Sequence, residues 1–396
     1  MSRILFISPY FAPAWGYGGP PRINYDLARF LVGRGHKVTV ATTDVLNERE
    51  RCPVLRERID GITVQRFRNV SNWLAWHGKL FFPRGFRAWL SQHIAEFDFV
   101  FLSDFRDYQN AVAAPLCRTH RIPYALAAYG SLPRTGGVRG PIKALYDCFW
   151  GRAMVREARY LLGQTDHERE VYTQFEGTRE QTVLLPLGID AEQFRRRGGA
   201  TFRKRHGIAP DETMLLFVGR INPLKGIDFL VRALAELRKT HKKLKLVIVG
   251  PDAGYYQKRL ERLIDELGVR DQIVLTGPLY GKDNTPAYSA ADLFVFAPSH
   301  YEETSLACLT ALSHGTPVVT TKQASIPFLE QYQAGYEVER RLPMFVHALE
   351  KVLARPSDLR QMGKNGQRLI REVFDLSNVG ARLEQLIAEG VHEKKG

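Results

Sequence analysis

Cysteine is scarce in this sequence, with four residues among 396. The four are scattered, and no two of them form a C-x-x-C pair: Cys52, Cys117, Cys148 and Cys308. A zinc site or a disulfide framework uses paired or regularly spaced cysteines. The sequence therefore predicts reduced, mostly buried thiols, and it indicates neither a metal site nor a disulfide-stapled fold.

Long apolar runs are also missing. No run reaches the roughly 18 residues that a membrane-spanning helix needs. The first apolar run is too short for a signal peptide and is followed at once by Pro9, so it is typical of a core strand. We therefore expect a cytoplasmic protein. With 44% hydrophobic residues over this length, the composition is that of a globular chain with two domains.

Acidic residues are too few to balance the basic ones, and the net charge is +14. The excess is spread over the chain, with 25 basic and 17 acidic residues up to Leu185 and 31 against 25 beyond it. A basic chain favours an acidic partner, such as anionic lipid, a phosphorylated substrate or nucleic acid. No nucleic-acid-binding motif is present, so we expect no nucleic acid partner.

The most informative stretch is Met214–Phe229, MLLFVGRINPLKGIDF. An apolar run typical of a buried parallel strand ends at Gly219, and helical spacing of apolar residues begins after Gly226. Arg220 and Lys225 lie between strand and helix, where ligands bind in open α/β sheets. Two cations there suit a diphosphate. From the residues alone, two solvated loop cations are an equally good interpretation.

A second strand-to-helix connection spans residues 297–319. A strand ends, a polar loop with Glu302 follows, and a helix is predicted to begin near Ser305. The amides of the first helical turn and the positive end of the helix dipole can meet an anion. Glu302 taken alone is equally consistent with an exposed loop acid.

Apolar strands alternate with amphipathic helices along the whole chain, which predicts doubly wound, mostly parallel sheets. The predicted strands are 3–8, 37–42, 62–67, 97–102, 124–128, 160–162, 182–185, 214–218, 246–249, 273–276, 293–296 and 317–319. Predicted helices in the second block lie near 226–239, 255–267, 305–314 and 343–354, and a last one spans about 376–389. The pattern breaks after Leu185, where we place a domain boundary.

These strings together resemble the GT-B glycosyltransferases, in particular the large retaining family four, also called glycosyl transferases group 1. The shared features are G-R-x4-K-G at Gly219–Gly226, the Glu-x7-Glu region whose register follows from Gly315-Thr-Pro-Val-Val, and the connector residues Gly188, Asp190 and Phe194. The resemblance implies two Rossmann-like domains facing a central cleft. They would span 1–187 on the acceptor side and 188–372 on the nucleotide-sugar side, with a C-terminal helix in 373–396 crossing back to the first domain.

The resemblance also implies roles for individual residues. Arg220 and Lys225 would stabilise the diphosphate and Glu302 would contact donor-sugar hydroxyls, which makes these three the catalytic candidates. Further donor contacts are expected at Gly18, Gly19, Tyr129, Gly130, Gly219, Glu303, Thr304, Ser305, Leu306 and Thr310. Two positions depart from the family pattern, since Thr310 stands where a ribose-binding Glu is usual and Tyr129 where a His is usual. No Asp-x-Asp motif is present, so we expect no metal and no cofactor.

The implied activity is transfer of a sugar from a nucleoside-diphosphate sugar to a hydroxyl acceptor with retention, in bacterial cell-surface polysaccharide or glycolipid synthesis. Two alternatives stay open: a GT-B-type nucleotide-sugar epimerase, and a non-catalytic sugar-nucleotide-binding subunit of a transferase complex. The substitutions at Thr310 and Tyr129 are the features that keep the second alternative open.

Residues 66–90 mix five cations with six aromatic residues: Arg66, Arg68, Lys79, Arg84 and Arg87 with Trp73, Trp76, Phe81, Phe82, Phe86 and Trp89. Basic and aromatic residues together favour a membrane interface. We therefore expect a lipid-linked acceptor and reversible binding to the inner face of the cytoplasmic membrane. The alternative interpretation is a long loop and a core-facing helix with solvated arginines.

Overall fold

The structure, a computed structural model, describes residues 1–133, 140–190, 197–252, 256–279 and 281–393. The chain divides into two compact units. Unit 1 contains Met1–Ile189 and Leu376–Gly396, and unit 2 contains Asp190–Asp375. The predicted boundaries at 187/188 and 372/373 lie within a few residues of these. The connector residue Phe194 lies outside the described residues.

Unit 1 is built on an eight-stranded sheet in the order β3-β4-β2-β1-β5-β6-β7-β8. Neighbouring strands are parallel except for β3, which pairs antiparallel with β4 at the edge. The central strands β1, β5, β6 and β7 are mostly apolar and buried, as expected where helices cover both faces of a parallel sheet. The strands are β1 Arg3–Ile7, β2 Lys37–Thr43, β3 Arg56–Ile59, β4 Ile62–Phe67, β5 Phe99–Ser103, β6 Tyr124–Ala127, β7 Tyr160–Gly163 and β8 Thr182–Leu184.

The helices of unit 1 include the last helix of the chain, which packs on the first. A Cβ on Gly380 would lie 2.4 Å from the ring of Phe30, so this crossing requires a glycine. The helices are α1 Gly19–Gly33, α2 Phe86–His93, α3 Tyr108–Thr119, α4 Gly140–Tyr146, α5 Arg152–Glu157, α6 Asp166–Gln174 and α14 Leu376–Glu393. The predicted C-terminal helix therefore belongs to unit 1.

Unit 2 repeats the architecture with six parallel strands in the order β11-β10-β9-β12-β13-β14. They are β9 Thr213–Val218, β10 Leu244–Val249, β11 Ile273–Gly277, β12 Leu293–Phe296, β13 Val318–Thr321 and β14 Gly335–Val338. The helices are α7 Gly199–Arg205, α8 Ile227–Leu237, α9 Gln257–Glu266, α10 Thr285–Ala290, α11 Leu306–Ser313, α12 Leu342–Leu353 and α13 Pro356–Leu369.

The sequence pattern did not predict β3, β14 or three helices of unit 2, namely α7, α10 and α13. The two strands lie at sheet edges, where polar residues replace the apolar run of an interior strand, as in Arg-Glu-Arg-Ile of β3. Helix α13 carries Gly363 and Gly366, which fit against Gly315 and Leu312 of its neighbours. Glycine has low helix propensity, so tertiary packing decides this helix.

Each sheet has one position where the strand order reverses. In unit 1 it lies between β1 and β5, and in unit 2 between β9 and β12. Crevices outside the carboxyl ends of strands at such positions are the usual ligand sites of open α/β sheets. Both informative strings of unit 2, after β9 and after β12, lie at its reversal.

Residues 66–90 do not form one surface. Phe81 and Phe86 are buried, Arg66 is buried and donates to the carbonyl of Ala12 at 2.6 Å, and Trp89 packs against the core ring of Phe67. The core-facing interpretation therefore holds for α2. Elsewhere in the segment, four large apolar side chains are exposed: Val70, Trp73, Leu80 and Phe82. Within the described part of the chain, no helix is long and apolar enough to cross a membrane.

Candidate functional site

The loops after β9 and β12 bring two of the three catalytic candidates into contact. Lys225 Nζ donates to both carboxylate oxygens of Glu302, each at 2.7 Å. Both side chains are partly buried, and the ammonium also lies 5.6 Å from the ring centre of Phe296. A lysine held by a carboxylate at a strand end is a positioned cation that can exchange its partner for an anionic ligand.

The backbone of the first loop is tightly specified. Asn222 Oδ1 accepts from the amides of Leu224 and Lys225, at 3.0 and 3.2 Å, and so shapes the turn that carries the lysine. Gly226 follows at φ 67°, and a Cβ there would lie 1.8 Å from the carbonyl oxygen of Ala297 at the end of β12. Only glycine allows this backbone approach, so the Lys-Gly pair of the motif has a structural cause.

Arg220, the third catalytic candidate, lies directly after β9 and is exposed. In the part of the chain that the structure describes, no carboxylate forms an ion pair with it. It is therefore available to an anionic ligand at the strand end. The preceding carbonyl, that of Gly219, is closely packed, because a Cβ on Gly250 would lie 1.8 Å from its oxygen.

Helix α11 begins with Leu306, after the loop that carries Glu302. Glu303, Thr304 and Ser305 are buried in front of it, and within the described part of the chain the buried Thr304 Oγ1 has no hydrogen-bond partner. Ser305 is the N-cap residue but makes no side-chain cap. The first-turn amides of a helix have no partner within the helix, so this terminus can donate to an anion.

Thr310, the position of the expected ribose contact, lies one turn into α11 and is partly exposed. Its hydroxyl donates to the carbonyl of Leu306 at 2.8 Å. The oxygen can still accept a hydrogen bond from a ligand hydroxyl, whereas the charged, two-oxygen acceptor of a glutamate is absent.

In unit 1, the glycine candidates lie in the loop that leaves β1. Gly18 has φ 105° with open space around its missing side chain, and Gly19 is the first residue of α1. The positive φ of Gly18 turns the chain into the helix, and because Pro20 and Pro21 have no N–H, only Gly19 and Arg22 carry amide donors in its first turn.

Tyr129 closes a hydrogen-bond network at the strand ends of unit 1. Its hydroxyl donates to Asn24 Oδ1 at 2.8 Å, while Asn24 Nδ2 donates to Ser103 Oγ at 2.7 Å and to Ser8 Oγ at 3.2 Å. Burial and the nearby Asp104 carboxyl raise the pKa of Tyr129 well above its usual value. Tyr129 is therefore a neutral hydrogen-bonding group and cannot act as a base.

Gly130 has its amide already engaged, donating to Glu168 Oε1 at 2.7 Å. The second oxygen of the buried Glu168 accepts from the amide of Gln164 at 2.9 Å. Both Tyr129 and Gly130 have positive φ, 50° and 76°. The turn after β6 is thus held by a buried carboxylate.

The sequence interpretation missed Asp104. It follows β5 directly at the reversal point and has φ 67°. Its Oδ2 is buried and has no hydrogen-bond partner among the described residues. Burial raises the pKa of this carboxyl to about 6, against the opposing effects of Tyr10 and Lys79. The available signal was its place directly after an apolar strand, the same signal that identified Arg220.

Arg340 was also missed. Its Nε donates to the carbonyl of Ala297 at 3.2 Å, and its guanidinium lies 4.6 Å from the ring centre of Phe229. It therefore braces the end of β12, where the loop with Glu302 begins. Nothing in the local sequence around Arg340 indicates this contact, because it joins residues far apart in the chain.

This fold and these strand-end sites define a two-domain α/β protein of the nucleotide-sugar-binding kind. Residues 200–369 match the family described as glycosyl transferases group 1, and residues 18–188 match the glycosyl transferase 4-like domain. Together the two matches cover most of the chain, which belongs to the group 1 glycosyltransferases.

Two curated relatives are similar to large parts of the chain. The D-inositol 3-phosphate glycosyltransferase of Segniliparus rotundus is 33% identical over 218 residues, which are 54% of this chain and 48% of that protein. The uncharacterized glycosyltransferase MJ1607 of Methanocaldococcus jannaschii is 29% identical over 323 residues, 78% of each chain. The match to the first relative therefore spans about half of that protein's length.

Solved structures show the same fold over nearly the whole chain. Anabaena Alr3699/HepE, solved in complex with UDP and glucose, has a TM-score of 0.75 at 18% identity and covers 98% of this chain and 100% of its own. Sucrose-phosphate synthase from Thermosynechococcus elongatus has a TM-score of 0.77 at 19% identity, and the match covers 98% of this chain and 99% of that one. WaaG, a glycosyltransferase involved in lipopolysaccharide biosynthesis, has a TM-score of 0.68 at 19% identity, and the match covers 97% of this chain and 99% of that one. The predicted GT-B fold is confirmed.

No group of three or more His, Cys, Asp or Glu side chains that could hold a metal ion occurs among the described residues. Metal independence stays a prediction from the sequence. The chemistry that the site offers is electrostatic: two cations after β9 and a helix N-terminus after the neighbouring strand β12.

Proposed function

We propose that this glycosyltransferase moves a sugar from a nucleoside-diphosphate sugar to a hydroxyl acceptor with retention of the anomeric configuration. The observation that carries the proposal is the contact of Lys225 with Glu302 at the reversal point of unit 2. A diphosphate needs fixed positive charge, and a sugar hydroxyl needs a carboxylate acceptor; these two side chains supply one of each.

In the proposed reaction, the bond between the anomeric carbon and the diphosphate oxygen breaks, and negative charge develops on that oxygen. Arg220, Lys225 and the first-turn amides of α11 stabilise this charge, which is the largest contribution such a site can make. Glu302 then accepts hydrogen bonds from hydroxyls of the donor sugar. Glu303, Thr304, Ser305 and Leu306 form the backbone around the same terminus.

Retention follows in this proposal from attack on the face that the diphosphate leaves. The acceptor hydroxyl forms the new bond to the anomeric carbon, and its proton passes to the departing phosphate oxygen. No carboxylate nucleophile is needed for this step, in contrast to a double displacement. Tyr129, whose pKa is raised by burial, remains a hydrogen-bond donor throughout.

The acceptor belongs to unit 1 in this proposal, and the product to cell-surface polysaccharide or glycolipid synthesis. Support comes from the +14 net charge, which favours an anionic or membrane-bound partner, and from similarity to WaaG, whose description places it in lipopolysaccharide biosynthesis. Association with the cytoplasmic membrane face, with a lipid-linked acceptor, is part of the same proposal.

Incubation of the purified protein with acceptor extracts and a panel of nucleotide sugars, followed by mass spectrometry, tests the activity. A transferase adds one sugar mass to an acceptor and releases the nucleoside diphosphate. An epimerase changes the nucleotide sugar without transfer, and a non-catalytic subunit binds it unchanged, so either result would contradict the proposal. The proton coupling at the new anomeric centre, measured by NMR, then reports retention or inversion.

A further inference from the structure

A continuous helix in unit 1 exposes an apolar face. α4, a π-helical turn at Asp147–Gly151 and α5 follow one another without a break from 140 to 157. Four large apolar side chains on it are exposed, Ile142 (68%), Leu145 (59%), Phe149 (64%) and Trp150 (44%), and Cys148 is exposed between them. We call these five residues the exposed helix face.

From Asp147 onward, the opposite side of this helix is firmly docked, whereas α4 has no buried residue. Arg106 donates from Nε and Nη2 to the two carboxylate oxygens of the buried Asp147, at 2.8 and 2.9 Å. Met154 and Val155 are buried in the core of unit 1. The apolar residues on the solvent side are therefore exposed although the helix packs on the core, so their exposure is a property of the folded surface.

Basic residues continue the exposed side of the helix. Arg152 and Arg156 are exposed one and two turns after Phe149, and both pair with the single carboxylate of Glu176, at 2.7 and 3.3 Å. Two cations against one anion leave positive charge beside the apolar face, in a chain of net charge +14. Large apolar side chains with a Trp, next to arginines, are the composition of an interfacial helix.

We propose that the exposed helix face docks this protein on an anionic lipid surface. Phe149, Trp150, Ile142 and Leu145 enter the headgroup region, and Arg152 and Arg156 meet the lipid phosphates. The inference rests on the proposed function, because docking on a membrane would bring the enzyme to its lipid-linked acceptor. Vesicle binding needs neither donor nor acceptor, so it fails or succeeds independently of the transfer reaction.

The chain offers its own probe site for the test. Cys148 is exposed within the face, whereas Cys52, Cys117 and Cys308 are buried. An environment-sensitive NBD maleimide attached at Cys148 should shift to the blue and brighten with phosphatidylcholine vesicles containing phosphatidylglycerol. Pure phosphatidylcholine should give a much smaller change, and added salt should weaken the response because the charge contribution is screened.

Co-sedimentation of the unlabelled protein with the same vesicles measures affinity. The double variant Phe149→Ser/Trp150→Ser should bind at least about tenfold more weakly, because two large apolar contacts are lost. Both side chains are exposed, so its melting temperature should match that of the wild type. The matched control is Trp73→Ser/Phe82→Ser, which removes two exposed aromatics (61% and 42%) of residues 66–90 and should bind as the wild type does.

Four results would overturn the inference. They are an NBD spectrum indifferent to anionic vesicles, equal binding to neutral vesicles, full binding by the Phe149/Trp150 variant, and loss of binding in the Trp73/Phe82 control. A spectral change that depends on protein concentration without vesicles would assign the face to a second copy of the chain instead. Vesicle binding without any sugar transfer would contradict only the proposed function.

Discussion

The reversal points of the two sheets carry different chemistry on the same architecture. In unit 2 the loops hold charge: an exposed Arg220, and Lys225 in contact with Glu302. In unit 1 the corresponding position holds the network of Asn24 and Tyr129 with two serine hydroxyls, and one carboxyl, Asp104, whose pKa burial raises to about 6. The reversal of strand order therefore determines where each sheet has a crevice for a ligand. The loop residues determine which ligand chemistry suits that crevice.

The largest expected effect is at the charged site. Lys225→Ala and Arg220→Ala should each lower turnover by much more than about tenfold, since each removes charge that stabilises the departing diphosphate. Steady-state kinetics with the nucleotide sugar found active in the donor panel measures this. Lys322→Ala is the matched control, because Lys322 is a unit 2 cation in an exposed pair with Glu339 and should change turnover little. Near-normal turnover in both site variants would remove the contrast between the units.

The second effect concerns the backbone that brings the charged loops together. Gly226→Ala should lower the free energy of unfolding by about 3 kcal/mol or more, since its Cβ would meet the Ala297 carbonyl at a positive φ. Gly207→Ala has nearly the same φ, 65°, but open space, and should cost only about 1 kcal/mol. Urea unfolding of both variants isolates the close approach. Equal costs would mean that the loops can separate freely.

The third effect tests the carboxyl of unit 1. Its folded pKa of about 6 lies above the ordinary 3.8, so the folded state binds this proton more tightly than the unfolded chain. The group therefore destabilises the fold increasingly as pH rises from about 4 to 6, and by a constant amount above. Asp104→Asn should be more stable than the wild type by about 2 kcal/mol at neutral pH, and the gain should vanish near pH 4.

Asparagine tolerates the left-handed backbone at this position, so the substitution changes charge with little strain. Thermal unfolding across the pH range measures the difference between the two proteins. A stability difference that does not depend on pH would show that the Asp104 carboxyl is solvated in the folded state. The reversal points of the two units would then not differ in the solvation of their charged groups.

The smallest effect is expected at the position that departs from the family pattern. Thr310→Glu should tighten binding of the donor's nucleoside diphosphate, identified in the donor panel, by roughly tenfold or less, because a carboxylate can accept from both ribose hydroxyls. Isothermal calorimetry measures the affinity, and Thr310→Gln, which lacks the charge, should gain less. Unchanged or weaker binding by the glutamate variant would mean that the register or the role of this position is wrong.

Much of the fold could be predicted because a buried parallel strand is a continuous apolar run. Leu293–Phe296, for example, is fully buried and has the predicted bounds. The edge strands Arg56–Ile59 and Gly335–Val338 could not be predicted, since an edge strand has no second neighbour and needs no apolar run. The site candidates after β9 and β12 were predicted from spacing and resemblance. Asp104 carries the same strand-end signal and was missed, whereas Arg340 acts through a contact with Ala297 that is distant in sequence.

The sequence by itself determined the class of this protein, because the alternation of apolar runs and helical spacing, with Arg220 and Lys225 at a strand end, is local information. Only the tertiary structure decided which side chains meet. Glu302 reaches Lys225 across 77 residues of chain, and Tyr129 reaches Asn24 across 105. It also decided which aromatics are covered, since Phe86 and Phe149 have the same intrinsic hydrophobicity. One is buried in the core and the other is exposed to solvent, because burial depends on the neighbours that the whole fold supplies.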